Sequence, residues 1–315
     1  MRVAGNAAAQ PATRACVRFL LAQQSSDGSW SDWNLPPGQS GPWTTAYVGW
    51  QLALAAPGAG TATQAAVRWL VDQQDDRGGW GYNGLVGCDA DSTAHAMLFM
   101  CAAGRTPDAR NYERLLAFQQ SDGGFATYEA DEGLGSWGSS HPDVSAVAAR
   151  TLLKHTYAGA ELERAVDYVA RQLERTGLWN SFWWCSPLYA TQKCLALAAA
   201  THVPVDLTQT RRAITSLTAG NAFERALLLD CLHDLGDVPS KQADELIRRL
   251  AADQRPDGSW SSPPILRIPA RDCTSPWERP TAATAYRDPG RLFTSATVLR
   301  ALSRAAPTSY TPGPK

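Results

Sequence analysis

The stretch Arg68-Trp-Leu-Val-Asp-Gln-Gln-Asp-Asp-Arg-Gly-Gly-Trp80 decides the fold, because it recurs. Its plan is a helical run ending in Gln, a turn, then Gly-x-aromatic. The same plan appears in Arg18-Phe-Leu-Leu-Ala-Gln-Gln-Ser-Ser-Asp-Gly-Ser-Trp30, in Arg114-Leu-Leu-Ala-Phe-Gln-Gln-Ser-Asp-Gly-Gly-Phe125 and in Arg249-Leu-Ala-Ala-Asp-Gln-Arg-Pro-Asp-Gly-Ser-Trp260. A degenerate copy runs from Gln172 to Trp179, and near 213–221 the plan is nearly lost. A period of about 40–50 residues is that of stacked helical repeats.

Each unit reads as two helices. The first carries charges on one face: roughly 7–24, 62–74, 108–120, 162–176, 206–218 and 240–254. The Asp-Gly or Gly-Gly pair behind it stops the helix and turns the chain. The second is apolar or small all round: roughly 44–56, 91–104, 143–154, 187–200, 222–235 and 292–305. A helix without a polar face must be buried, and one with a charged face sits outside. Six outer helices alternating with six inner ones predict an all-α double ring, an (α/α)6 barrel without strands. The expected organisation is one barrel domain over 1–306 and a flexible tail over 307–315.

Composition narrows the function. A formal net charge of −1 argues against nucleic acid as a partner. No apolar run approaches the ~18 residues of a membrane span, although peripheral association stays open. Met1 to Thr13 lacks the apolar core of a secretion signal. Seven cysteines without regular spacing do not form a disulfide framework, so a cytoplasmic setting is expected.

Connections from outer to inner helix are long (25–43, 75–90, 121–142, 177–186 and 255–291), whereas the returns are short. The long loops therefore share the end of the barrel where the inner helices begin, and loops on a rigid scaffold carry function. The inner helices align on Ala46, Ala94, Ala146, Ala226 and Ala296. Three residues earlier stand Trp43, Asp91, Asp143, Phe223 and Phe293, with Tyr189 in the fourth slot. This predicts a ring of two carboxylates and four aromatics at the cavity mouth. Small hydroxyl residues just inside it, Thr93 among them, leave a lumen. Trp179, Phe182, Trp183 and Trp184 crowd the fourth loop. Aromatic faces stabilise cations and apolar walls keep water from them, although the same residues could simply pack a barrel centre.

The recurrent segments resemble the QW motif of squalene and oxidosqualene cyclases, whose superfamily also holds the protein prenyltransferase β-subunits. In that family Gln and Trp tie neighbouring helices together. The resemblance therefore implies structural staples at Gln24, Trp30, Gln74, Trp80, Gln120, Phe125, Gln254 and Trp260. Asp89-Ala90-Asp91-Ser92-Thr93-Ala94 resembles the Asp-x-Asp-Asp-Thr-Ala motif of class II terpene cyclases. Asp91 matches the proton donor and Asp89 the first aspartate of its network, while Ser92 departs from a further aspartate. His95, four residues after Asp91 on one helix face, and His141, two before Asp143, are candidate tuners of the acid. Asp89 and Asp91 could alternatively cap the helix.

The resemblance implies protonation of an alkene or epoxide in an isoprenoid or prenylated metabolite, then carbocation cyclisation, with no metal and no other cofactor. Trp43, Thr93, Trp183, Trp184, Tyr189, Phe223 and Phe293 would bind the substrate. A prenyltransferase β-like subunit would hold zinc through Asp-x-Cys, a pattern this sequence lacks. A non-catalytic isoprenoid-binding barrel is the other alternative, because class II cyclases usually add a second barrel. The loop 261–291, with Arg267, Arg271, Arg279, Arg287 and Arg291, could be a lid or anion holder; a homodimer could also close the mouth.

Overall fold

A computed structural model describes residues 3–129, 131–154, 159–201 and 205–305. The tail expected over 307–315 lies outside them. Twelve α-helices alternate outer and inner among the described residues: α1 (Val3–Ala22) and α2 (Pro42–Ala55), α3 (Gly60–Asp72) and α4 (Ala90–Ala102), α5 (Ala109–Leu116) and α6 (Pro142–Lys154), α7 (Ala160–Arg171) and α8 (Pro187–Thr201), α9 (Thr208–Ser216) and α10 (Ala222–Asp234), α11 (Lys241–Ala252) and α12 (Leu292–Ala305). The even-numbered helices pack in order around an axis, and α12 returns to α2 to close the inner ring. All six are buried on nearly every face, as their composition demands.

The repeat motif is the seam of this structure. The indole N–H of Trp30, Trp80, Trp179 and Trp260 donates to the carbonyl ten residues back, on Leu20, Leu70, Val169 and Leu250, at 2.7–2.8 Å. The Gln24 amide reaches the Gly28 carbonyl at 2.8 Å and Ala62 of the next outer helix at 2.9 Å. Gln254 does the same to Gly258 and Ala12, both at 2.9 Å, joining the last repeat to the first. Gly258 has φ +90°, and a Cβ there would lie 2.4 Å from the Ala15 carbonyl, so only glycine fits that closure.

The third repeat corrects the sequence reading by one residue. Gln119, not Gln120, donates to Gly123 at 2.9 Å and Glu161 at 2.8 Å, while Gln120 reaches only Phe118 at 3.2 Å. The aromatic stands six positions after Gln in the other intact copies. Counting back from Phe125 gives Gln119, and the adjacent Gln-Gln pair hid the choice. The small hydroxyl residues are corrected too. Thr45, Thr93, Ser145, Thr191 and Ser295 receive the backbone N–H of Trp30, Trp80, Phe125, Trp179 and Trp260 at 2.7–3.1 Å. They clamp the turn to the inner helix and do not line a lumen.

The structure also has strands that the sequence reading omits. β1 (Asp32–Leu35) pairs with β2 (Gly38–Ser40), and β3 (Leu266–Pro269) with β4 (Ala283–Tyr286), both antiparallel. Segments of three or four residues are too short to show a period of two. Both ribbons lie in the long loops and cover the mouth.

Candidate active site

Under the ribbons lies a cavity of about 370 Å³, within the range of small-molecule sites. Asp89, Asp91 and Ser92 stand on one side, with Asp143 and Val144 from the next inner helix. Trp43 and Trp184 meet them from α2 and the fourth loop. Leu35, Pro36, Pro37, Leu266 and Ile268 of the ribbons roof it, and Tyr82, Tyr128, Trp137 and Trp183 complete the wall.

Asp89 is the N-cap of α4. Its Oδ1 accepts the Ser92 N–H at 2.7 Å, and its Oδ2 the Ser92 hydroxyl at 2.7 Å. The capping reading therefore holds for Asp89, which also faces the cavity. Ser92 supplies a donor where an additional aspartate would add a third charge. Asp91, two residues on in the first turn of α4, is held differently. Its Oδ2 accepts the Trp43 indole N–H at 2.8 Å, and Oδ1 lies 3.3 Å from His95 Nδ1. That ring nitrogen is also 2.9 Å from the Asp91 carbonyl, which fixes it as the protonated one.

Burial works against the Asp91 charge, but the charge and hydrogen bond of His95, the Trp43 N–H and the Lys193 charge outweigh it. Asp91 therefore lies below the ordinary carboxyl value. Asp89 is pushed up to about 7 by burial and then by the Asp91 charge, with the Ser92 donors opposing. Asp143 is likewise pushed up to about 7 by burial and the charge on Asp91. One strong acid thus sits among two carboxyls that retain protons near neutrality.

The ring predicted from the repeat alignment splits in two. Trp43, Asp91 and Asp143 reach the cavity, with Trp183 and Trp184 from the loop; Tyr189, Phe223 and Phe293 do not. These three are fully buried and plug the barrel axis beneath it. Tyr189 stacks on Trp184 at 4.0 Å, Phe223 on Trp184 at 5.5 Å, and Phe293 on Tyr47 at 3.6 Å. Aromatic rings entering from several helices meet at the axis and exclude a lumen there. His141 is a second correction. It bonds the Ser136 carbonyl at 3.1 Å and stacks on Phe182 at 3.9 Å, away from Asp91, and burial pushes it down to about 3. Thr93, clamped to Trp80, is absent from the cavity wall. Three of the five lid arginines are committed elsewhere. Arg267 is buried against the carbonyls of Ser181, Phe182 and Pro276, Arg271 bonds Gly133, and Arg291 bonds Asp257.

The match to solved structures decides what such a site belongs to. Type II terpene cyclase MstE from Scytonema, solved with the product merosterolic acid A, superimposes with a TM-score of 0.83 at 28% identity, over 96% of this chain and 98% of that one. The chain is a class II terpene cyclase-like enzyme. A complex of MstE with the substrate geranylgeranyl dihydroxybenzoate matches as well, with a TM-score of 0.83 at 28% identity, over 96% of this chain and 99% of that one. A protein from Actinoplanes matches with a TM-score of 0.83 at 29% identity, over 94% of this chain and 99% of that one. ent-Copalyl diphosphate synthase from Streptomyces platensis shares the fold, with a TM-score of 0.60 at 20% identity, over 83% of this chain and 50% of that one. No known family profile and no curated protein sequence matches the chain. These matches span nearly the whole of the MstE and Actinoplanes chains.

The cyclase site includes residues that the sequence reading missed. Tyr82, Tyr128 and Trp137 come from the second and third loops; Trp183, already expected at the site, is held in place by a 2.7 Å bond from its indole N–H to Thr127 Oγ1. Their positions on long outer-to-inner connections were the available signal; no repeat register marks them. Among the described residues no helix is long and apolar enough to cross a membrane.

Proposed function

We propose that Asp91 donates a proton to the terminal alkene or epoxide of a linear isoprenoid or prenylated aromatic substrate, and that the carbocation so formed cyclises within the cavity. The observation that carries this reading is the Asp91 carboxyl, held by Trp43 Nε1 at 2.8 Å and His95 Nδ1 at 3.3 Å in an aromatic-walled cavity. Both donors stabilise the carboxylate left after proton transfer, which is what makes a carboxylic acid strong. Each aromatic face that meets the cation contributes about 0.5–2 kcal/mol. The apolar roof limits quenching by water. Asp89 and Asp143, each pushed up to about 7 by burial and the Asp91 charge, keep protons near neutrality beside the acid. Loss of a proton from the final cation leaves an isomer of the substrate.

The single barrel over the described residues acts as one unit, its cavity roofed by its own ribbons. Leu85, 84% exposed beside cavity-lining Val86, suits peripheral contact with a membrane surface where isoprenoids partition. The cysteine pattern favours the cytoplasm. The test is incubation with linear isoprenoids and geranylgeranyl dihydroxybenzoate in EDTA, analysed by mass spectrometry beside Asp91→Asn. Cyclised product from the parent and none from the variant is expected; product from Asp91→Asn would sink the assignment. Ligand retention without turnover in the parent would identify a binding barrel instead.

A further inference from the structure

The opposite end of the barrel holds a second, polar cavity of about 120 Å³, lined by the middle and C-terminal parts of α2, α6, α8, α10 and α12. Four cations face it: Arg150, Lys193, Arg300 and Arg304. Two carboxylates, Asp230 and Asp234, face it too, and both are bound by Arg304, at 2.9 and 2.7 Å. Among the described residues no carboxylate lies within salt-bridge reach of Arg150, Lys193 or Arg300. Lys193 is 4% exposed, and its contacts are ring faces, Tyr189 at 4.7 Å and Tyr47 at 5.6 Å. The Asp91, Asp230 and Asp234 charges act on this ammonium from a distance, and none pairs with it in direct contact, which leaves a nearly buried charge beside a polar cavity costly.

Helix C-termini carry partial negative charge, which could account for cations here. That effect fades beyond the last turn. Lys193 lies eight residues before Thr201, the end of α8, so the helix end does not reach it. Among the groups that line the cavity, four positive less two negative leave a net of two positive charges. Gln51 and Gln192 also line the cavity and add neutral amide donors. The volume admits a small tetrahedral anion and no prenyl chain. The stacked Tyr47 and Phe293 rings stand between this cavity and the acid.

We propose that this basal cavity is a binding site for a small, multiply charged oxyanion of the phosphate class, held by Arg150, Lys193 and Arg300. It is separate from the cavity that takes the isoprenoid. The test is calorimetric titration with inorganic phosphate and inorganic diphosphate at constant ionic strength set with chloride. Saturable one-to-one binding is expected, weakened about tenfold or more in Arg150→Gln and Arg300→Gln through loss of a charge-assisted bond. Arg291→Gln, on the outer surface, should bind as the parent does. Absence of saturation, or equal isotherms in parent and variants, would overturn the proposal and leave the cations as partners of helix ends. Thermal melts confirm folding of each variant; if Arg150→Gln does not fold, the half-exposed Arg300 decides alone. The readout does not involve turnover, so its failure is distinct from failure of the acid assignment.

Discussion

The two ends of this barrel are made by the same six inner helices and differ in every chemical respect. Where the helices begin, long loops roof a cavity walled by aromatics, with three carboxyls on its side. Where they end, short connections leave a small polar cavity facing four cations. The difference follows from connection length: loops of a dozen residues or more can carry hydrophobic walls over a site, and tight turns cannot. An aromatic plug divides the two. His95 lies at the divide, with Nδ1 on Asp91 and its ring 5.4 Å from Tyr47, which also lines the basal cavity.

The sharpest way to break this division is a pair of variants, one at each end. Asp91→Asn should lower turnover about a thousandfold, within the range of general-acid contributions, while Arg300→Gln should leave turnover within about twofold. Single-turnover product assays check both, and a comparable loss in Arg300→Gln would mean that the ends act as one site. His95→Phe tests the divide itself. As a positioning residue, His95 should contribute roughly ten- to hundredfold in kcat with little change in KM. The limb of the pH–rate profile that falls as pH rises should move to higher pH, because Asp91 loses the partner that favours its carboxylate. An unshifted profile would reduce His95 to packing.

The seam that holds both ends in register gives smaller effects. Gln119→Ala removes donors from two carbonyls and should cost about 1–3 kcal/mol in urea unfolding, whereas Gln120→Ala should stay within ~0.5 kcal/mol. The reverse order would put the third repeat back in the register read from sequence. The smallest effect concerns pH. A carboxyl whose folded value is raised binds its proton more tightly in the folded state, so its contribution is complete below the unfolded value near 4 and is lost as pH rises toward 7. The melting temperature should therefore fall from pH 5 to 8, and fall less in Asp143→Asn. Equal slopes would show that Asp143 is not held up by burial and by the Asp91 charge.

How much of this was legible depends on the range of the interactions involved. Six outer and six inner helices follow from local composition, and the turn after each outer helix from Asp-Gly chemistry within a few residues. The motif at 89–94 placed Asp91 at the start of an inner helix facing the mouth, and the structure puts it there. The ring built on that register was only half right as a cavity wall: Trp43 and Asp143 face the substrate volume, whereas Tyr189, Phe223 and Phe293 fill the axis. Register along a helix fixes height and not which neighbour a ring meets first. His141 shows the same limit, since its proximity to Asp143 in sequence does not bring it to Asp91.

The sequence by itself therefore determined the all-α double ring, the seam of Gln and Trp, the end of the barrel that carries the loops and the position of the acid. Each rests on contacts within one repeat or between adjacent ones. Only the tertiary structure decided where the free volume lies, that Trp137, Tyr128, Leu266 and the Pro36–Pro37 turn share it, and that cations from several helices converge at the far end. Those are meetings of residues a hundred or more positions apart, set by how large side chains from six helices divide the space around one axis.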